Sequence, residues 1–224
     1  MPFLLSMPPF THLIFDLDGT LVDTKADLAA ATNYMLGSLG LPSLTLTQVE
    51  GYIGDGLRVL VERALGPRNT PLVSRGWEIF MEYYSDHLLD HTTAYPGMSS
   101  LLVVAHAHGR VLSVLTNKPE AASRAILSGL GLAHFFLAIV GGDTFSTRKP
   151  DPHGVAYLQR LSGIALTETL LVGDSPIDVE TGRAGGVTMC GVTWGFGARG
   201  LRANPPQFLV DTPEQLSDLI FVTT

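Results

Sequence analysis

The chain of 224 residues has a single cysteine, Cys190, so no disulfide can form within it and a cysteine-based zinc cluster is excluded. Basic residues are scarce: 14 Lys+Arg stand against 21 Asp+Glu, a net charge of −7, and they never form a run. Binding along a phosphate backbone needs a basic face, so nucleic acid is not an expected partner. A small anionic ligand remains open, because an acidic protein can be locally positive. No apolar stretch reaches the roughly 18 residues that a membrane-spanning helix requires. The opening Met1-Pro2-Phe3-Leu4-Leu5-Ser6-Met7 lacks the basic region of a secretory signal. A cytoplasmic, reducing setting with no membrane partner is therefore the expectation, and residues 1–10 read as a loose extension. The histidines show no His-Glu-x-x-His spacing, and Gly54-Asp55-Gly56 lacks the Gly-Lys-Ser/Thr of a phosphate loop.

What is present is apolar: 46% of residues are hydrophobic and 16% charged, which permits a sizeable core and excludes global disorder. The length suits one large domain, or a core with a smaller insert. His12-Leu13-Ile14-Phe15 is a short apolar run ending at Asp16, as in a buried strand. Asp18-Gly19 between apolar residues is a hairpin signal. The period then turns helical, with Leu28, Ala31, Met35 and Leu39 on one face, capping-box spacing at Thr47 and Glu50, and a helix from Leu57 closed by Gly66. Pro71 opens another helix carrying Val73, Trp77, Phe80, Met81, Tyr84 and Leu88 on its face. Residues 23–92 thus read as a helical insert. After Tyr95-Pro96-Gly97, helices and apolar strands alternate: strands at 111–115, 137–140, 169–172, 187–192 and 208–210, helices at 98–108, 119–129, 152–162, 176–185 and 213–220. Repeated units of this kind predict an α/β fold with a parallel sheet covered on both faces.

In such sheets ligands bind beyond the carboxyl ends of the strands. Three strands end there on polar residues: Asp16, Thr116-Asn117 and Gly173-Asp174. Asp16 and Asp18 point the same way in an extended segment, and their repulsion calls for a divalent cation or for one of them to be protonated. Either outcome suits phosphoryl transfer, with one carboxylate attacking phosphorus and the other delivering a proton. Asp174 lies within reach of a metal at Asp16, and carboxylates are Mg²⁺ ligands. Ser175, Pro176 and Asp178 also fit the start of a helix, and for Asp178 capping and metal binding weigh equally. Thr116-Asn117-Lys118-Pro119 joins a strand to a helix and suits an anion, with Lys118 expected to face solvent. Lys149, stiffened by Pro150, would neutralise carboxylate and phosphate charge, although alone it reads as a loop lysine. Trp77 is expected in the insert core and Cys190 in the core, while Trp194-Gly195-Phe196-Gly197 reads as a flexible loop after a strand, either lining the mouth of the site or without a role.

Asp16-Leu17-Asp18-Gly19-Thr20, Thr116-Asn117, Lys149-Pro150 and Gly173-Asp174-Ser175-x-x-Asp178 resemble, in order, the four motifs of the haloacid dehalogenase-like hydrolases. The second acid, Asp18, resembles the phosphatase branch. Gly54-Asp55-Gly56-Leu57, Thr116-Asn117-Lys118-Pro119, Gly141-Gly142-Asp143 and Gly191-Val192-Thr193-Trp194-Gly195 are similar in wording to the phosphoglycolate phosphatases. The resemblance implies a Rossmann-like core at 1–22 and 93–224 with the insert, 23–92, as a helical cap. It implies Asp16 as nucleophile and Asp18 as general acid, then base. Thr116 and Lys149 would hold the phosphoryl group, with Gly19, Thr20, Asn117, Gly54 and Arg58 toward substrate, although Arg58 reads more readily as a surface helix arginine. Asp16, the Asp18 carbonyl, Asp174 and Asp178 would bind Mg²⁺. The partner expected is a small phosphomonoester, 2-phosphoglycolate first, acted on by a monomer or homodimer. The alternatives are another sugar or amino-sugar phosphate, a phosphosugar mutase, or a module that is phosphorylated on aspartate without turnover.

Overall fold

The computed structural model describes residues 10–221. Strand β1 (His12–Phe15) is fully buried. After the short β2 (Val22–Asp23) come helices α1 (Lys25–Ser38), α2 (Leu46–Glu50), α3 (Leu57–Leu65), a 3₁₀ segment (Pro67–Leu72) and α4 (Val73–Asp86). From β3 (Thr93–Ala94) onward the chain runs α5 (Met98–Ala107), β4 (Val111–Leu115), α6 (Glu120–Gly129), β5 (Phe136–Val140), α7 (His153–Ser162), β6 (Thr169–Gly173), α8 (Pro176–Gly185), β7 (Thr188–Val192), β8 (Phe208–Val210) and α9 (Pro213–Phe221).

Six of these strands form one sheet in the order β5-β4-β1-β6-β7-β8, with every neighbouring pair parallel. His12 is in register with both Val111 and Thr169, and Phe15 with both Val114 and Val172. Because strand side chains alternate, β1 serves two cores. Leu13 and Phe15 pack with Met98, Leu101 and Ile126 on one face. Ile14 packs with Val155, Leu158 and Val179 on the other. Burying each such side chain contributes about 1.5–3 kcal/mol. The chain builds outward from β1 through β4 to β5, then crosses to β6, β7 and β8. The carboxyl end of β1 is therefore the topological switch point, where ligands bind in open α/β sheets.

The helices between β2 and β3 enclose a separate cluster, including Leu28, Met35, Leu60, Phe80 and Tyr84. Two linkers join this helical unit to the sheet. They pair as an antiparallel ribbon, Val22 opposite Ala94 and Asp23 opposite Thr93. Asp27, at the start of α1, accepts hydrogen bonds from the His91 and Thr92 backbone N–H groups and from the Thr92 hydroxyl at 2.7–3.1 Å. One buried carboxylate thus ties both linkers together. Among the described residues no helix is long and apolar enough to cross a membrane.

Three local expectations are corrected. The turn at Asp18-Gly19 is closed by Gly19 N–H donating to Val22 O, and the partner of residues 22–23 is the distant segment 93–94, so no local hairpin forms. The capping box belongs to Thr45 and Gln48. Thr45 holds the extended conformation a cap requires, whereas Thr47 already lies inside the helical turn. Phe10, counted in the loose extension, is core: it is 3% exposed and packs edge-on to Phe208; the rest of that extension lies outside the described residues.

Candidate active site

The ladder continues one residue past the ends of β1 and β4. Asp16 N–H donates to Val172 O, and Thr116 N–H donates to Val140 O, at 2.9 and 3.0 Å. Asp174 follows β6 directly. The strand register therefore brings Asp16, Thr116 and Asp174, distant in sequence, to one edge. Gly19 shapes the spot between them: its φ is +84°, and a Cβ there would lie 2.5 Å from Asp174 Oδ2. Only glycine suits that conformation and that approach. Asp174 is held further by Thr20 Oγ1, donating at 3.3 Å, and Gly197 N–H, donating at 2.8 Å.

Two buried lysines compensate the acids. Lys149 Nζ lies 2.8 Å from Asp16 Oδ1 and 2.7 Å from Asp178 Oδ1. The Asp16 contact is an ion pair off hydrogen-bond angle, which leaves Asp16 Oδ1 buried without a hydrogen bond. Lys118 Nζ lies 3.1 and 3.2 Å from the two oxygens of Asp18 and donates at 2.6 Å to the Tyr84 hydroxyl of α4. Thr24 Oγ1 donates to Asp18 Oδ1 at 2.7 Å. Asn117 Nδ2 donates to the carbonyls of Gly54 and Lys149, each at 3.2 Å, bridging the helical unit and the sheet. These groups surround a narrow pocket: Asp16, Asp18, Thr116, Asn117 and Lys118 form its floor, and Ile53, Gly54, Gly56, Leu57 and Leu60 its roof.

The family profile described as haloacid dehalogenase-like hydrolase matches residues 13–192, all four motif segments included. The chain belongs to that family. A phosphoglycolate phosphatase of Pseudomonas syringae pv. tomato is 36% identical over 211 residues, covering 91% of this chain and 77% of that protein. One from Chromobacterium violaceum is 40% identical over 187 residues, covering 81% and 84%. A crystal structure from Haemophilus somnus 129pt, described as a predicted phosphoglycolate phosphatase, superposes with a TM-score of 0.88 at 30% identity, over 94% of this chain and 97% of that one.

Within this haloacid dehalogenase-like hydrolase, the expected residues take different places. Asp16, Asp18, Thr116, Asn117 and Gly54 line the pocket, and Lys149, Asp174 and Asp178 adjoin it. Gly19 and Thr20 serve Asp174 rather than the pocket. Arg58 is not brought in: it lies on an exposed face of α3, 51% exposed and 3.5 Å from Glu62. Asp178 turns out to cap and to anchor at once. Its Oδ2 accepts from Ser175 N–H and Oγ, and its Oδ1 holds Lys149. Lys118 is the main correction. Far from facing solvent, it is buried between Asp18 and Tyr84, since a carboxylate left with no cation in this pocket would be costly. The signal was available: two acids at one strand end call for two cations, and Lys118 is the basic residue nearest the end of β4. The Trp194 loop also gains a role, with Trp194 Nε1 donating to Thr20 O and Gly197 to Asp174.

Burial raises Asp16 to about 6, against the opposing pull of Lys149. Burial, followed by the charges of Asp178 and Asp16, raises Asp174 to about 8. Burial by itself would lower Lys149, but Asp16 and Asp178 outweigh it and keep the ammonium charged. Asp16, Asp174 and Asp178 each offer an oxygen within 4.8 Å of the others. Three carboxylates share the single charge of Lys149, and hard oxygen donors are what Mg²⁺ takes. The residues fit such a cation.

Proposed function

We propose that this hydrolase is a Mg²⁺-dependent phosphatase of small phosphomonoesters whose substrate is 2-phosphoglycolate, released as glycolate and phosphate. The observation that carries the reading is one arrangement: Asp16 beside buried Lys149, with Asp18 facing the same small, apolar-roofed pocket. The names of the relatives support the choice of ester.

Phosphomonoester hydrolysis is among the slowest uncatalysed reactions, with enzymatic accelerations of up to about 10²¹-fold, so positioning and charge stabilisation carry most of the burden. Asp16 attacks phosphorus and becomes an aspartyl-phosphate, while Asp18 gives its proton to the leaving oxygen. Asp18 then takes a proton from the water that cleaves the intermediate. Lys149 and the Thr116 hydroxyl hold phosphoryl oxygens. Asn117 shapes the pocket, since its amide nitrogen is committed to Gly54 and Lys149. Asp16 and Asp174, with Asp178 close by, would hold Mg²⁺, which would supply neutralising charge when bound. The roof formed by α3 and its preceding loop excludes bulk water. The ribbon at Val22–Asp23 and Thr93–Ala94 is the place where the helical unit can hinge.

The test is phosphate release from 2-phosphoglycolate, hexose phosphates, an amino-sugar phosphate and nucleotides, with Mg²⁺ or EDTA, beside Asp16→Asn. Turnover of 2-phosphoglycolate that needs Mg²⁺ and vanishes in the variant is the expected result. Preference for another ester would overturn the substrate, and turnover surviving in Asp16→Asn would overturn the mechanism.

A further inference from the structure

We propose that Lys118 is a positioning residue that sets the Asp18 carboxylate for proton transfer, and that Tyr84 of the helical unit holds Lys118 in place. The proposal rests on the phosphatase reading above. Lys118 is fully buried in the loop after β4. Its ammonium spans both oxygens of Asp18 at 3.1 and 3.2 Å, which fixes the plane of that carboxylate as a single contact would not. Its remaining strong contact is the Tyr84 hydroxyl at 2.6 Å, contributed by α4. Thr24, at the threshold of α1, adds a second donor to Asp18 Oδ1. Asp18 is thus oriented by one group from the sheet and one from the entry to the helical unit, and the sheet group is itself gripped from the helical unit.

Lys149 cannot substitute, because it is committed to Asp16 and Asp178. A lysine needed only for stability would not have to sit on the pocket floor against the one carboxylate that moves a proton. Burying an ammonium is costly unless each partner is well placed. Here the partners are an acid on the core and a phenol on the roof-bearing unit. The pairing therefore links the docked state of that unit to the geometry of the acid: when Tyr84 withdraws, Lys118 loses its outer anchor and Asp18 its fixed plane.

The consequence is a dependence on the leaving group. An alkyl leaving oxygen needs the Asp18 proton, whereas nitrophenolate leaves without one. In both cases Asp18 must still take the proton of the hydrolytic water. Lys118→Met should therefore lose about 10²-fold in kcat on 2-phosphoglycolate, within the range of general acid–base effects, with KM nearly unchanged. On p-nitrophenyl phosphate the same variant should show a burst approaching one nitrophenol per site, followed by slow turnover. Tyr84→Phe should shift both readouts the same way by a smaller factor, and Lys118→Arg should recover part of the rate. Should Lys118→Met fail to fold, Tyr84→Phe and Lys118→Arg carry the test. An equal loss on both esters without a burst would overturn the proposal, as would a rise in KM with kcat intact, which would make Lys118 a substrate contact. A wild-type protein inactive on every ester would overturn the phosphatase reading and this proposal with it. An active wild type with indifferent variants overturns this proposal alone.

Discussion

Lys149 lends itself to a quantitative test, because its removal separates stability from chemistry. Its side chain is 2% exposed and lies within 2.8 Å of Asp16 and 2.7 Å of Asp178. In Lys149→Met the volume is roughly kept while two buried carboxylates lose their shared cation. Breaking a buried pair from one side costs about 3–5 kcal/mol. At about 2–4 °C per kcal/mol for a chain of this size, Tm should fall by roughly 10 °C. Urea unfolding followed by circular dichroism, in EDTA so that no divalent cation substitutes, reads the loss directly. The decisive arm is Lys149→Met combined with Asp178→Asn. Removing one of the two stranded charges should restore part of the stability, so the double variant should be less damaged than the two single losses added together. Contacting residues show coupling of about 0.5–3 kcal/mol. A Lys149→Met protein as stable as wild type, or strictly additive losses, would refute the charge-compensation argument. Phosphatase activity should vanish in both variants whatever the stability does.

Three further outcomes follow from the buried groups. Asp16 at about 6 and Asp174 at about 8 hold protons more tightly than an unfolded chain does, so their contribution to metal-free stability declines as pH rises from about 4 to 8. Mg²⁺ competes with those protons, so the Tm gain on adding Mg²⁺ should be larger at pH 8 than at pH 6; a gain independent of pH would count against the site. His12 is buried between Ser113 and Ser162, and burial lowers it to about 4. The unfolded chain binds its proton first, so stability is lost as pH falls from about 6.5 to 4, amounting to about 2 kcal/mol at pH 5; urea titrations of His12→Gln against wild type should show that slope flattened. Asp27→Ala leaves the buried Thr92 N–H and hydroxyl without their acceptor, at about 1–3 kcal/mol for each stranded donor. Amide exchange should accelerate at residues 91–94 before it does in the sheet, and unchanged protection there would show that Asp27 does not clamp the linkers.

The sheet and its acids were legible because parallel strands buried on both faces are short apolar runs, and the first polar residue after each run marks the functional edge. His12–Phe15 ending at Asp16 and Thr169–Gly173 ending at Asp174 follow that rule, and so does Thr116 after β4. The helices between β2 and β3 were legible from their 3.6-residue period. Order along the chain was enough to bring Asp16, Thr116, Lys149 and Asp174 together, since the topology leaves them one shared edge. What the sequence by itself could not determine was where side chains of ambiguous role point. Arg58 and Lys118 are both basic residues near the start of a helix, yet the rotation of α3 turns Arg58 to solvent, while Tyr84, 34 residues away in sequence, buries Lys118 against Asp18, 100 residues away. The clamp at Asp27 is of the same kind, reaching 64 and 65 residues along the chain. Periodicity reports which face of an element is apolar. Which distant polar group meets it depends on how the elements pack, and only the tertiary structure decides that.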